Sequence, residues 1–86
     1  MTSRIIHITN PIGLHLLPAT KLAGICERCS SKVQLVAGTR TVNAKSVLGV
    51  VSLGLVKGSS AELRCFGPDE EKDIETISEF IEDLND

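Results

Sequence analysis

One histidine stands between a turn and a predicted helix in the segment NPIGLHLLPAT. Gly13 permits a turn before His15, and Pro18 suits the first turn of a helix because its missing N–H has no intrahelical acceptor there. At this helix N-terminus the N–H groups of Leu16 and Leu17 point outward, and the helix dipole is positive. This environment favours the neutral imidazole and binds phosphate, so His15 is suited to accept and release a phosphoryl group. The position is equally that of an exposed loop or capping histidine without a chemical role.

Ser46 occupies a similar place before a second predicted helix. It precedes the apolar segment that begins at Val47, so N-capping by its hydroxyl is one sufficient explanation of the residue. A phosphate on Ser46 would also be stabilised there, with Lys45 beside it, and its added charge would block docking of an acidic partner. Ser46 is therefore a candidate site of regulatory phosphorylation.

Apolar residues close to His15 and Ser46 form a candidate surface for docking partners, because exposed apolar patches mark interaction sites. The alternative is that the residues of the second helix face the core. The residues of this predicted surface are Leu14, Leu16, Leu17, Val47, Leu48 and Val51.

The three cysteines do not indicate metal or redox chemistry. Cys26 and Cys29 form a CxxC motif, but it lies at the C-terminal end of the first predicted helix, where the dipole opposes thiolate formation. A zinc site needs further ligands, for which only Cys65 and His7 remain. We therefore expect cysteines of the core, no metal site and no cofactor.

Hydrophobic periodicity and turn residues predict seven elements in the order βαββαβα. We predict strands at residues 4–9, 32–37, 40–43 and 60–66, and helices from 16 to 29 or 30, from 47 to about 53, and from 69 onward. The last helix has an apolar stripe at Ile74, Ile77, Ile81 and Leu84. This order favours an α+β fold in which helices cover one side of a single sheet.

The composition limits the classes of function. Residues 1–86 form one domain with little room for an enclosed active site, and such a chain more often carries or binds than encloses a substrate. Eight basic and two acidic residues in positions 1–68 give this part a positive charge, whereas residues 69–86 have nine acidic residues and one basic residue. The body therefore favours acidic partners. We recognise no export leader or membrane-spanning run, so we expect a cytoplasmic protein without membrane insertion.

Two motifs, GLHLLPAT at residues 13–20 and VNAKSVLGVVSLG at residues 42–54, resemble those of the HPr family. This family comprises the histidine-containing phosphocarriers of the phosphoenolpyruvate-dependent sugar phosphotransferase system. The resemblance extends over almost the whole chain and implies an open-faced β-sandwich, with a four-stranded antiparallel sheet and three helices on one face. It further implies that His15 accepts phosphate from enzyme I at Nδ1 and passes it to enzyme II A domains, as a carrier rather than a turnover enzyme.

The same resemblance assigns roles to the second motif. Ser46 matches the regulatory serine of the family, which a dedicated HPr kinase/phosphorylase modifies in some bacteria. Val47, Leu48 and Val51 match the apolar docking helix. We expect the chain to be a monomer.

Leu17 departs from the family motif, which has an arginine two residues after the histidine. That arginine helps to hold the phosphate and contacts partner carboxylates, whereas leucine has neither charge nor donor. Loss of one such contact costs on the order of 1.5–3 kcal/mol if nothing replaces it. The backbone anion site of the helix remains, and Lys21, one turn further on, is the candidate replacement.

Two hypotheses of function follow from these residues. The first is a phosphocarrier with His15 as the transient acceptor. The second is a regulatory docking module that acts through Ser46 or the apolar surface, with His15 vestigial. The leucine at position 17 favours this second hypothesis. We favour the carrier, because a docking module does not need the histidine. Nucleic-acid binding is disfavoured, because aromatic residues make up only 2% of the chain and the basic residues are dispersed.

Overall fold

The computed structural model describes all 86 residues, and its elements follow the predicted order βαββαβα. The bounds of the second, third and fourth strands are those predicted from the alternation of apolar and polar residues. The elements are β1 (Thr2–His7), α1 (Leu16–Glu27), β2 (Lys32–Ala37), β3 (Arg40–Asn43), α2 (Val47–Ser52), β4 (Ser60–Phe66) and α3 (Glu70–Glu82).

The four strands form one antiparallel sheet in the order β1-β4-β2-β3. Successive residues of β4 point to opposite faces, so Ala61, Leu63 and Cys65 are buried while Glu62 and Arg64 lie on the other face. The helices pack on the buried face and leave the opposite face open. The predicted α+β open-faced sandwich is therefore confirmed.

The core lies between the sheet and the three helices. The predicted stripe of α3 is confirmed, since Ile74, Ile77, Ile81 and the following Leu84 are all buried. These residues belong to one cluster of 18 buried apolar residues that also includes side chains of α1, α2 and the strands. None of the helices combines the length and the apolar character needed to cross a membrane.

Two elements have bounds that differ from the prediction. β1 extends over residues 2–7 instead of 4–9, because it pairs with β4 from Thr2 opposite Cys65 to His7 opposite Ser60. α1 ends at Glu27, before Cys29, because the next two N–H groups bond to carbonyls three residues back and tighten the last turn. Both bounds are set by hydrogen bonds, and the pattern of apolar residues within one segment does not reveal these bonds.

Candidate functional site around His15

The loop before His15 is built by two short hydrogen bonds within the chain. Gly13 donates its N–H to the carbonyl of Asn10 at 3.2 Å, and the Asn10 side-chain amide donates to the Gly13 carbonyl at 2.8 Å. Gly13 has a φ of +67°, a conformation that residues with a side chain rarely adopt. The sequence therefore requires glycine at this turn, as predicted.

This loop is fastened to the segment that follows α2. Leu14 donates its N–H to the carbonyl of Leu55 at 2.9 Å. A Cβ on Gly13 would contact the same carbonyl and would lie 2.7 Å from Cα of Val56. The backbone approach is so close that it holds the residues before His15 in place.

His15 is the N-cap residue of α1 and lies exposed on an open surface. Its carbonyl accepts the N–H of Ala19 at 2.9 Å, and its imidazole makes no hydrogen bond to the chain. The N–H groups of Leu16 and Leu17 have no acceptor in the chain, and Pro18 has no N–H. Two backbone donors therefore remain at the positive end of a helix beside an accessible imidazole, which is an arrangement that binds an anion.

Near the start of α1, Lys21 belongs to an ion pair and is not a free cation. Leu17 is 54% exposed and offers no charge. Lys21, the candidate replacement cation, donates to the carboxylate of Asp86 at 2.8 Å. The lysine ammonium holds the pKa of this carboxyl below its usual range. The main-chain oxygen of Asp86 also accepts the N–H of Ile12 at 3.0 Å, so this residue contacts both the helix and the loop that flank His15.

Ser46 is the N-cap of α2, where its hydroxyl oxygen accepts the N–H of Gly49 at 3.1 Å. The other end of α2 is held by Arg40, whose guanidinium donates to the carbonyl and hydroxyl of Ser52. Lys45 donates to the carbonyl of Cys29 at 3.4 Å, which places its ammonium at the end of α1. The predicted capping role of Ser46 is therefore confirmed, and its phosphorylation stays a prediction.

The structure corrects one residue of the predicted docking surface. Leu14 is only 2% exposed and belongs to the core, because its backbone bond to Leu55 turns the side chain inward. The prediction that Leu14 contacts partners is therefore wrong. On α2, Leu48 is 80% exposed, whereas Val47 and Val51 are half-buried against the core.

Sequence reasoning missed two exposed apolar residues beside the site. Ile12 is 50% exposed in the loop before His15, and Val56 is 59% exposed next to Gly13. Ile12 lies within the same apolar segment as Leu14 and Leu16, so the sequence carries a signal for it, whereas only the fold brings Val56 to this loop. We use the name apolar collar for the exposed apolar residues of this region, which are Ile12, Leu16, Leu17, Leu48 and Val56.

The cysteines lie away from this chemistry. Cys26 and Cys65 are buried, and Cys29 is partly exposed and donates to the Ile25 carbonyl at 3.5 Å. Burial raises the pKa of the Cys26 thiol to about 12 and that of Cys65 to about 11. Both thiols therefore stay protonated at neutral pH and serve as small apolar groups of the core.

Comparisons with known proteins agree over nearly the full length of the chain. The family model described as the PTS HPr component phosphorylation site matches residues 2–83. The phosphocarrier protein HPr of Buchnera aphidicola subsp. Acyrthosiphon pisum is 35% identical over 79 residues, which cover 92% of this chain and 93% of that protein. The phosphocarrier protein HPr of Treponema pallidum is 34% identical over 82 residues, which cover 95% and 93%.

The fold agrees as well as the sequence. The crystal structure of HPr-C-His from Thermoanaerobacter tengcongensis matches with a TM-score of 0.91 and 35% identity, covering 95% of this chain and 92% of that one. The matched family model extends across β1 to α3, with His15 inside the matched range. The chain therefore belongs to the HPr family, the phosphocarrier proteins of the phosphotransferase system.

Proposed function

We propose that His15 accepts a phosphoryl group from enzyme I and passes it to an enzyme II A domain, with the chain acting as a cytoplasmic monomer. One observation carries this proposal: an exposed imidazole at the N-terminus of α1 lies beside two backbone N–H groups without acceptors. A phosphoryl group on Nδ1 would receive these hydrogen bonds from Leu16 and Leu17 and the favourable end of the helix dipole.

The transfer itself moves the phosphoryl group directly from the phosphorylated donor to the imidazole of His15. The lone pair of Nδ1 attacks the phosphorus of the phosphorylated donor, and the new N–P bond forms as the bond between the phosphorus and the donor breaks. Because the chain contributes backbone donors and no free side-chain cation, its part in this step is to position the imidazole and to bind the phosphoryl oxygens. The next transfer reverses the same geometry.

Partner docking is assigned to the apolar collar together with Val47 and Val51. A donor or acceptor domain that reaches His15 must cover the residues around it, and the collar gives that contact an apolar character. At Leu17 the contact is apolar instead of charged. We therefore expect the cognate partner to present an uncharged surface opposite this residue.

The experiment is phosphorylation by phosphoenolpyruvate and enzyme I of the same organism. We expect acid-labile phosphate on the wild type and on His7→Ala, and none on His15→Ala. His7 lies exposed on β1 and serves as the matched control. An unlabelled wild type, with the same enzyme I active on another carrier, would contradict the proposal.

We also propose that Ser46 is a regulatory phosphorylation site, with an HPr kinase/phosphorylase as the partner. A phosphate at this N-cap keeps an oxygen acceptor for Gly49 and places negative charge beside Leu48 of the collar. A reaction with the kinase and ATP should give acid-stable phosphate on the wild type and on Ser52→Ala. Labelling that persists in Ser46→Ala would reject the site.

A further inference from the structure

Asp86 connects the two segments that flank His15. Its main-chain oxygen accepts the N–H of Ile12, three residues before the histidine, and its side-chain carboxylate accepts a hydrogen bond from the ammonium of Lys21, six residues after it. Both distances are those of good hydrogen bonds, 3.0 and 2.8 Å. The ammonium of Lys21 is therefore held close to the loop that leads into the site.

The position of Lys21 on α1 points in the same direction. It lies one turn after Leu17 on the same side of the helix, and side chains of a helix incline toward its N-terminus. The Nζ atom sits on a flexible four-carbon stem, and the lysine side chain is 46% exposed. An ion pair this exposed is weak, so its ammonium can change partners.

Charge decides which partner the ammonium prefers after phosphorylation. A phosphoryl group on His15 carries up to two negative charges, whereas the Asp86 carboxylate carries one. We propose, resting on the proposed acceptor role of His15, that Lys21 leaves Asp86 and pairs with the phosphoryl group once His15 is phosphorylated. Lys21 is thus a phosphate-binding residue of the phosphorylated protein, and its ammonium pairs with Asp86 while His15 is unphosphorylated.

The test uses phosphoramidate as the phosphoryl donor, so that it does not depend on enzyme I. The Nδ1–P bond forms while the P–N bond of phosphoramidate breaks and ammonia leaves. A His7→Gln background makes His15 the only imidazole in the chain. Carbon-13 NMR of the side-chain carboxyl carbon then follows the titration of Asp86 before and after phosphorylation.

We expect phosphorylation to raise the pKa of Asp86 in two ways: through loss of Lys21, and through direct repulsion by the new charge. In Lys21→Gln only the direct repulsion remains. The rise should therefore be larger in the wild type than in Lys21→Gln, by about 0.3–0.5 pH unit. Equal rises in the two proteins would overturn the inference.

Two further variants separate Lys21 from general charge effects. Lys57→Gln removes an exposed lysine next to Val56, and Glu75→Gln breaks the exposed Arg4–Glu75 pair elsewhere on the surface. Neither should change the rise at Asp86, and a reduction in Lys57→Gln equal to that in Lys21→Gln would show a general charge effect and overturn the inference. Labelling by phosphoramidate but not by enzyme I would reject only the proposed carrier role. An exposed His15 that phosphoramidate leaves unmodified would contradict both proposals.

Discussion

Leu17 is the residue that most separates this site from the family motif. It is the second residue of α1 and is 54% exposed beside the imidazole. The backbone donors at this position do not depend on the side chain, so the anion site survives the loss of arginine. What the substitution changes is the number of charged groups that the chain itself offers to a phosphoryl group.

Leu17→Arg should strengthen phosphoryl binding without disturbing the fold. An added exposed cation stabilises phosphorylated His15 by a fraction of a kcal/mol to about 1 kcal/mol, which raises the ratio of phosphorylated to unphosphorylated protein about two- to fivefold at a fixed ratio of phosphoenolpyruvate to pyruvate. Phosphate-affinity gel electrophoresis measures the ratio of the two forms. Ile5→Arg adds the same charge at a residue that is 59% exposed on the open face of the sheet. A similar rise in that control would show a general charge effect.

Ser46 contributes to stability through its cap. Removing the hydroxyl in Ser46→Ala leaves the N–H of Gly49 without its acceptor, and we expect the free energy of unfolding to fall by about 1 kcal/mol. Urea denaturation measures the change. Ser60→Ala, an exposed position on β4, should stay within about 0.5 kcal/mol of the wild type. Equal stability of the two variants would exclude the capping contribution.

The elements around the site act through backbone contacts between segments far apart in sequence. The loop before α1 and the segment after α2 meet at Gly13, Leu14 and Leu55, and this contact fixes where α1 begins. His15 is therefore positioned by both of its flanking elements and by a segment about 40 residues further along the chain.

Gly13→Ala should destabilise the protein more than an ordinary glycine substitution. At Gly13 the new methyl group would contact the Leu55 carbonyl in addition to the strain of a positive φ, and we expect a loss of about 3 kcal/mol or more. Gly38→Ala has the same kind of strain, with a φ of +60°, but no atom within 4 Å of the new Cβ. It should cost about 1–2 kcal/mol. Equal losses in urea denaturation would mean that the contact with Leu55 is unimportant.

The elements were largely predictable because their signals are local. Alternation identified the bounds of β2, β3 and β4, and the helical stripe of α3 identified its buried residues. Leu14 was misjudged because its burial depends on a bond to Leu55, which no local pattern contains. The Lys21–Asp86 pair joins residues 65 positions apart, so it could not be predicted from a local pattern either.

At the scale of the whole molecule, ionised carboxylates contribute stability that depends on pH. Arg64 lowers the pKa of Glu62, the Gly67 N–H and the terminal amine lower that of Glu70, and Lys21 lowers that of Asp86. A lowered pKa in the folded state stabilises the protein above the unfolded pKa values of 4.5 and 3.8, and this contribution is lost as the pH falls through the folded values. Stability should therefore decline below about pH 4.5. Urea denaturation from pH 7 to pH 3 measures this decline, and a flat profile would contradict it.

The buried thiols make the protein less stable at alkaline pH. Their pKa is raised from 9.0 to about 12 in Cys26 and about 11 in Cys65. Below pH 9 these thiols are protonated in both the folded and the unfolded protein. As the pH rises from 9 toward the folded values, they ionise only in the unfolded protein, so the free energy of unfolding falls. We expect the free energy of unfolding to fall by about 2 kcal/mol between pH 8 and pH 10 under reducing conditions. Cys26→Ala should flatten this decline, and an unchanged slope would contradict the assignment. The chain has no tyrosine that would ionise in the same range.

The pairing of β1 with β4 has a consequence for the kinetics of folding. Thr2 to His7 find their partners some 60 residues later, and Leu14 is fastened only once Leu55 is in place. Such distant contacts close late, because the entropy of a long loop is lost before they form. We therefore expect the phosphoacceptor loop to be among the last parts to become ordered, although it lies near the start of the chain. Pulsed hydrogen exchange during refolding would show the Leu14 amide gaining protection together with β1 and after α3.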